Sequence, residues 1–213
     1  MKDGWTISRL RARALTAPMT EPFTIATARR TRVENVLVEA RLADGTVGWG
    51  ECAPLTAFSP ETPASALQAL RKAAGAFEGR DASRLGVLAR LSAEALRGRP
   101  SVRAGVEMAL LDAWARRRGM PLWEWFGGAS ASVRTDVTVT IVPAAAAGRT
   151  ARRLARQGIS TIKIKVGTDL DADEARVRAV VRAAPKARLI VDANQGYSAR
   201  EALSLLRRLA NAW

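Results

Sequence analysis

The chain has 213 residues, of which 48% are hydrophobic and 25% charged, a composition typical of a globular protein rather than a disordered one. Histidine is absent, which excludes Ser-His-Asp and Cys-His catalysis and histidine metal sites. Proton chemistry would need lysine, carboxylates, cysteine or tyrosine. The formal net charge of +14 raises binding to nucleic acid or an anionic membrane, but the arginines are spread along the chain and no nucleic-acid motif accompanies them.

The cysteine content and the hydropathy predict the cellular compartment of the protein and the kinds of partner that it binds. Cys52 is the single cysteine, so it has no partner for an internal disulfide or a metal site, and we expect a packed thiol in a reducing compartment. No stretch approaches the roughly 20 continuous apolar residues of a membrane helix, and Met1–Trp5 does not begin an export signal. We expect a soluble, cytoplasmic protein that binds neither membranes nor nucleic acids.

Alternating apolar residues predict a small antiparallel sheet in the first half of the chain. One run leads into Asp44-Gly45, a strong hairpin signal, and returns towards Glu51. The predicted strands cover residues 5–15, 35–42 and 46–51. Apolar residues at three- and four-residue spacing then predict helices. These helices cover about 60–77, 83–96 and a third segment that begins at Ser101.

Gly127-Gly128 marks the predicted domain boundary, with an α+β domain at 1–128 and a second domain at 129–213. Beyond the boundary strands and helices alternate strictly, which predicts a parallel sheet with right-handed crossovers. The predicted strands cover 135–142, 161–166 and 188–192. The predicted helices cover 144–157, 170–183 and 198–210.

The alternating half favours a (β/α) barrel over a dinucleotide-binding fold, because no glycine-rich phosphate fingerprint follows its first strand. A closed barrel needs eight strand-helix units and about 250 residues, whereas three units are visible after Gly128. The predicted fold class is therefore α/β, with an α+β domain followed by the first three βα units of a truncated (β/α) barrel. We expect that this chain does not complete the barrel's active site.

Two lysines on the second barrel strand are candidates for proton chemistry. Lys163 and Lys165 are two residues apart, so their side chains share one face, while Ile162 and Ile164 face the other way. The apolar face of a barrel strand packs on helices, so both amines would face the interior near the carboxyl end, where barrels hold their active sites. Crowding of two amines lowers the pKa of one of them towards that of a general base. A solvated edge strand is the alternative interpretation.

The next strand ends with a carboxylate on the same inward face. Asp192 and Asn194 share that face, and a carboxylate there suits a hard cation such as Mg²⁺. The alternatives are a cap for the helix that starts near Ser198 and an ion pair with the lysines. Thr138 and Thr140 share a face of the first barrel strand and could bind substrate, although threonine is also a common strand residue.

Five short motifs, taken together, point to a family. They are Gly-Trp-Gly-Glu-Cys at 48–52, Ala-Leu-Leu-Asp at 109–112, Gly-Gly at 127–128, Lys-Ile-Lys-Val-Gly at 163–167 and Asp-Ala-Asn at 192–194. The chain resembles the enolase superfamily, in its muconate-lactonizing-enzyme subgroup, and is most similar to the dipeptide epimerases. The resemblance covers essentially the whole chain, and Lys-x-Lys followed by Asp-x-Asn on the next strand is its specific part. It implies a capping domain followed by a modified (β/α) barrel.

The resemblance implies 1,1-proton transfer next to a carboxylate, on a dipeptide such as L-Ala-D/L-Glu. Lys165 would exchange the proton with assistance from Lys163, and Asp192 would be the first of three ligands of a Mg²⁺ ion that neutralises the enediolate. Thr138 matches a threonine that contacts substrate, and Lys163 and Asn194 are further predicted substrate contacts. The full-length parent is expected to be a homo-oligomer.

The resemblance also implies two segments that cover the substrate, and it shows that part of the metal ligand set is missing. The segments 23–30 and 54–62 match loops that close over the substrate and set its identity. The family takes its second and third metal ligands and an opposing lysine from later strands, which are absent from this sequence. A single carboxylate holds Mg²⁺ poorly, because the ion gives up its water reluctantly. We therefore expect the isolated chain to be inactive.

Other functions remain open at this point. Muconate cycloisomerase and o-succinylbenzoate synthase share the same lysine and metal framework. A non-catalytic fragment that serves as a binding or assembly module is an alternative of another class, because unpaired barrel edges favour association. A basic nucleic-acid binder is the third.

Overall fold

The computed structural model describes residues 4–56 and 59–210. Residues 57 and 58 of the predicted substrate loop, and residues 1–3 of the segment considered as an export signal, lie outside the described residues. The chain divides into two compact units. Unit 1 contains the described residues up to Ala17 together with Val33–Ser132, and unit 2 contains Pro18–Arg32 and the described residues from Val133 onward. The predicted boundary at residue 128 stays a prediction.

Three strands form the first sheet, in the order β1-β2-β3. They are β1 (Ile7–Ile25), β2 (Ala28–Leu42) and β3 (Val47–Cys52). β2 and β3 are antiparallel, as the hairpin signal predicts, and Gly45 in the turn has φ +93°, which glycine adopts without strain. β1 and β2 are longer than predicted. Their added residues are mostly exposed, so an alternating pattern of apolar residues cannot predict them. These residues are part of the strands because they pair with a neighbouring strand.

Within the described residues of unit 1, four helices follow this sheet along the chain. They are α1 (Pro63–Phe77), α2 (Leu85–Ala95), α3 (Pro100–Arg118) and α4 (Leu122–Trp125). α3 lies directly on β3: a Cβ atom added at Gly50 would overlap the Gly105 carbonyl, and one at Gly48 would overlap the backbone of α3. The strand and helix can approach this closely because these positions lack side chains. The fully buried core includes Ile7, Val36, Val38, Phe77, Val102 and Val106.

Unit 2 contains a parallel sheet in the order β4-β5-β6. Its strands are β4 (Val137–Val139), β5 (Thr161–Lys165) and β6 (Arg188–Asp192), and its helices are α5 (Ala144–Arg156), α6 (Leu170–Ala183) and α7 (Ala199–Leu209). Ile162 and Ile164 are fully buried in one apolar cluster with Leu154 of α5 and Val177 of α6. The predicted alternation of parallel strands and helices is confirmed, although β4 is shorter than the predicted 135–142. None of the described helices is long and apolar enough to cross a membrane.

Candidate active site

The register of the parallel sheet brings the candidate residues onto one face. Lys165 lies opposite Asp192 across β5 and β6, and Thr138 lies opposite Lys163 across β4 and β5. Side chains of residues in register share a face of a sheet. The Nζ atoms of Lys163 and Lys165 each lie 2.8 Å from Oδ2 of Asp192. One carboxylate oxygen therefore holds two amines at the carboxyl edge of the sheet.

The two lysines differ in their exposure to solvent. The Lys165 side chain is 7% exposed, whereas that of Lys163 is 30% and that of Asp192 is 26% exposed. Lys165 is thus the amine that the protein shields from water, and its ion pair is the less screened of the two. A substrate atom that reacts at Lys165 would therefore be better protected from competing water than one that reacts at Lys163.

Proton affinities at the site are governed by the shared carboxylate. Hydrogen bonds from Lys163 and then Lys165 hold the pKa of Asp192 well below its usual range. The hydrogen bond to Asp192 raises the pKa of Lys163, so this side chain is an ammonium at neutral pH. Crowding predicts a lowered pKa for one of the two lysines without saying which one, and at Lys163 the shift is upward. An opposite charge in hydrogen-bond contact outweighs a neighbouring like charge.

The turn after β6 uses the other oxygen of Asp192. The Asn194 amide donates to Oδ1 of Asp192 at 2.9 Å, and both Asn194 and Gln195 have positive φ angles. The Asn194 side-chain oxygen is buried and has no hydrogen-bond partner among the described residues. Ser198 itself caps α7 by accepting from the Glu201 amide, so the cap interpretation of Asp192 is wrong and the ion-pair interpretation is confirmed.

The predicted capping segment 23–30 reaches the same edge. It forms the end of the β1-β2 pair rather than an irregular loop, and the Ile141 amide donates to the Thr24 carbonyl at 3.0 Å. A Cβ atom added at Gly167, after β5, would lie 3.1 Å from the Ala26 Cβ, and one at Gly196 would lie 2.6 Å from it. The tip of this hairpin therefore packs on the turns that follow both site strands.

The other predicted capping segment, 54–62, contains a carboxylate that already has a structural function. Glu61 is fully buried and accepts hydrogen bonds from the amides of Ser101 and Val102 in the first turn of α3. These are amides that a helix leaves without internal partners. In this conformation Glu61 is unavailable to a substrate.

Sequence reasoning missed three polar residues beneath the site: Asp173 and Arg176 of α6, and Tyr197. Asp173 is fully buried and Arg176 is 3% exposed. Both lie on the buried face of α6 with Val177 and Val180. The sequence did contain a sign of them: a carboxylate and a guanidinium occupy helix positions on the face where apolar residues are normally found.

Mg²⁺ requires several oxygen ligands in near-octahedral geometry. Asp192 has the right chemistry for one of them, but the described residues contain no group of three or more potential metal-ligating side chains. Its carboxylate is also in contact with the side-chain nitrogens of two lysines. The described residues therefore do not by themselves fit a Mg²⁺ site.

Comparison with known proteins agrees with this geometry. The profile for the N-terminal domain of mandelate racemase/muconate lactonizing enzymes matches residues 10–127, and that for the enolase C-terminal domain-like family matches residues 146–213. The chain is 40% identical over 205 residues to an L-Ala-D/L-amino acid epimerase of Populus trichocarpa, covering 95% of this chain and 49% of the relative. It is 41% identical over 200 residues to an aromatic dipeptide epimerase of Herpetosiphon aurantiacus, covering 93% and 56%.

A solved structure extends the likeness to three dimensions. The dipeptide epimerase of Methylococcus capsulatus, complexed with Mg and the dipeptide L-Arg-D-Lys, superimposes with a TM-score of 0.90 at 33% identity, covering 97% of this chain and 58% of that one. The chain thus spans about half the length of the curated relatives that it matches. With both profiles matching in order and the first covering more than half of the residues, the chain belongs to the mandelate racemase/muconate lactonizing enzyme family of the enolase superfamily.

Proposed function

We propose that this chain carries the proton-transfer part of a Mg²⁺-dependent epimerase that acts next to the carboxylate of a dipeptide. One observation carries the proposal: the amines of Lys163 and Lys165 both contact Asp192 at the carboxyl edge of parallel strands. That edge is where barrels of this type place their chemistry. The names of the relatives support the reaction and the substrate class.

Lys165 is the proposed proton-transfer residue. As a neutral amine it accepts the proton of the substrate's α-carbon: the C–H bond breaks, its electron pair moves into the enediolate, and Nζ gains the proton. Return of a proton to the α-carbon completes the exchange. The low exposure of the side chain keeps bulk water away from the reactive carbanion-like intermediate.

Lys163 is proposed to assist as a fixed positive charge. Its raised pKa keeps it protonated at neutral pH, so it is suited to hold the substrate's carboxylate and the developing negative charge rather than to accept the proton. Electrostatic stabilisation of this kind contributes most where the charged group is already in position.

Asp192 is proposed as one ligand of Mg²⁺, which when bound would supply Lewis-acid stabilisation of the enediolate. The described residues contain no group of three or more potential metal-ligating side chains, and the matched relatives are about twice as long as this chain. Activity of the whole protein is therefore part of the proposal. The described residues would act on the proton but would hold the metal weakly.

Substrate contacts are proposed for Thr138, Lys163 and Asn194, with the hairpin tip around Ala26 near the same turns. Thr138 is next to Lys163 across the sheet. The buried side-chain oxygen of Asn194 has no partner in the part of the chain that the structure describes, so it could accept a hydrogen bond from a bound ligand. Relatives with different named dipeptides match this chain, so L-Ala-D/L-Glu is one member of the class to be tested.

The test is α-proton exchange with solvent. L-Ala-L-Glu and other dipeptides would be incubated with Mg²⁺ in D₂O and followed by ¹H NMR, using the chain alone and the chain co-expressed with the carboxyl-terminal part of the Herpetosiphon relative. We expect little exchange from the chain alone and measurable exchange from the pair. Lys165→Ala should lower it by about 10²–10⁴-fold, the usual contribution of a general base.

Lys186→Ala is the matched control, because Lys186 is an exposed lysine of the same unit. It should leave exchange within about twofold, as surface substitutions usually do. Exchange that survives Lys165→Ala, or no exchange from the unaltered pair with any dipeptide, would contradict the proposal.

A further inference from the structure

A buried polar cluster lies directly beneath Lys165 and takes no part in the proposed proton transfer. We call Asp173, Arg176 and Tyr197 the Asp173 cluster. Its two charged residues are almost completely removed from solvent, and burying charges is costly unless each is paired and hydrogen-bonded. Apart from the ion pair between Asp173 and Arg176 themselves, the contacts that satisfy these charges go to strand ends and to the turns that follow them.

One carboxylate of the cluster joins the turns that follow both site strands. Oδ2 of Asp173 accepts from the amides of Gly167 at 2.7 Å and Thr168 at 3.1 Å, and from the Tyr197 hydroxyl. Gly167 is two residues beyond Lys165, and Tyr197 is five residues beyond Asp192. The position of Asp173 therefore affects both members of the ion pair at the site.

The guanidinium of Arg176 holds the strands themselves. Its Nε donates to the Val142 carbonyl at 2.7 Å, and one terminal nitrogen donates to the Lys165 carbonyl at 3.1 Å and also pairs with Asp173. Arginine suits this arrangement because its donors form a rigid planar fork. A single side chain thus links the segment after β4 to the last residue of β5.

Stability alone does not explain such a cluster. Apolar residues of similar volume can often replace a buried ion pair at little cost, and Val177 and Val180 of the same helix face show that apolar side chains pack here. Hydrogen bonds provide direction, which apolar packing does not, because each requires a particular distance and angle. Here the hydrogen bonds fix the orientation of the backbone at Lys165, and therefore the direction in which its side chain extends.

We propose that Arg176 and Asp173 are positioning residues for Lys165, and that Tyr197 ties the turn after Asp192 to the same carboxylate. The cluster does not touch substrate. It fixes the carbonyl of Lys165 and the amide of Gly167, so that the Lys165 amine stays against Asp192. The inference rests on the proposed function for its catalytic consequence, but its structural consequence can be measured without a substrate.

The test measures how well each lysine amine is protected in the full chain. Trace acetylation with acetic anhydride at pH 8, quantified by mass spectrometry, gives the reactivity of Lys165 relative to the exposed Lys186 in the same molecule. In Arg176→Met we expect Lys165 reactivity to rise about tenfold, the size expected when a buried hydrogen bond is lost. Arg176→Lys should reverse part of the rise, since it restores a donor without the fork.

Two control variants separate positioning from helix stability. Arg178→Met removes another arginine of α6, whose contacts are with Glu174 and Arg208. Asp169→Ala removes the side-chain cap of α6, which accepts from the Ala172 amide at 2.8 Å. Both should leave Lys165 reactivity within about twofold, since neither of the removed side chains contacts the strand end or the Asp173 cluster, even though loss of the cap destabilises the helix.

If circular dichroism shows that Arg176→Met does not fold, Tyr197→Phe still tests the proposal, because this variant removes only one hydroxyl group. It should raise Lys165 reactivity about threefold, a smaller effect because only one of several hydrogen bonds to Asp173 is lost. Equal Lys165 reactivity in Arg176→Met, Tyr197→Phe and Arg178→Met would overturn the proposal. So would an equal rise in Asp169→Ala.

Activity distinguishes this inference from the function on which it rests. In the co-expressed pair, Arg176→Lys should lower kcat for α-proton exchange about tenfold and leave KM within about twofold, because positioning acts on the transition state. If Lys165→Ala retains exchange, the proposed function fails while the acetylation result stands. If acetylation is unchanged in the cluster variants but Lys165 is essential, only the positioning inference fails.

Discussion

The two compact units use carboxylates in different ways. In unit 1, Asp112 accepts from the Trp49 amide at 2.8 Å and Glu61 accepts from the first amides of α3, so these carboxylates satisfy backbone donors whose protonation never changes. In unit 2, one oxygen of Asp192 contacts the side-chain nitrogens of two lysines, Lys163 and Lys165, and Lys165 is the proposed proton-transfer residue. The difference shows that a carboxylate's function depends on its partners, not on its burial.

Glycines also have different functions in the two units. Gly48, Gly50 and Gly105 bring β3 and α3 into contact in unit 1, where the result is a tight core. Gly167, with φ +112°, lies where a Cβ would approach the Ala193 carbonyl, and Gly196 lies where one would overlap the Gly167 carbonyl. In unit 2 the same freedom brings together the turns that carry the site.

The interpretation of unit 1 as static packing is tested most sharply at Cys52. Burial, followed by the charges of Glu61 and Glu51, raises the pKa of this thiol to about 12. Its reaction with a disulfide reagent at pH 8 should be at least about a thousandfold slower than that of a free thiol, because each unit of pKa removes a factor of ten of the thiolate. Guanidinium should restore the rate, and a fast reaction of the folded protein would contradict the static interpretation.

Gly50→Ala should break the contact between β3 and α3. The added methyl group overlaps the Gly105 carbonyl, so we expect a loss of about 3 kcal/mol in the free energy of unfolding, at the upper end for overpacking. Urea denaturation would measure it. Gly75→Ala is the control: apart from the neighbouring backbone of its own helix, no described atom lies within 4 Å of its added Cβ, so this helical position should gain up to about 1 kcal/mol.

Acid should loosen unit 2 through its ion pairs. The pKa values of Asp173 and Asp192 are lowered in the folded state, so their contribution to stability is present above the ordinary carboxyl pKa of about 4. It is lost as the pH falls towards the folded values, because the unfolded chain binds the proton first.

Hydrogen exchange by mass spectrometry at pH 6 and pH 3, corrected for the intrinsic rate, would follow this loss. At pH 3 we expect protection of β5 and α6 to fall by somewhat less than about tenfold for each of the two carboxylates, because pH 3 lies only about one unit below the ordinary carboxyl pKa. Unchanged protection of both elements at pH 3 would show that these ion pairs do not stabilise the unit.

The smallest expected effects are those of the two helix caps. Thr62 caps α1 in unit 1 by accepting from the Ser65 amide, and Asp169 caps α6 in unit 2 by accepting from the Ala172 amide. Each substitution by alanine should cost about 1 kcal/mol, seen as faster exchange in its own helix. Equal weakening of both helices by either variant would show that the two units do not open separately.

Much of the site was readable from local pattern. Alternation in the strand Thr161–Lys165 correctly separates the buried Ile162 and Ile164 from the two lysines, because neighbouring strand residues always face opposite ways. The Asp44-Gly45 hairpin is equally local. The extent of β1 and β2 was not readable, since strand pairing rather than burial sustains their exposed residues.

The sequence by itself determined the order of strands and helices, the family resemblance and the face on which Lys163, Lys165 and Asp192 lie, because these depend on the spacing of residues close together in the chain. Only the tertiary structure decided that one oxygen of Asp192 contacts both lysine side chains, that the pKa of Lys163 is raised, and that Asp173 and Arg176 lie beneath the site. Those outcomes depend on the register between strands and on burial, and electrostatic interactions act through space, not along the sequence.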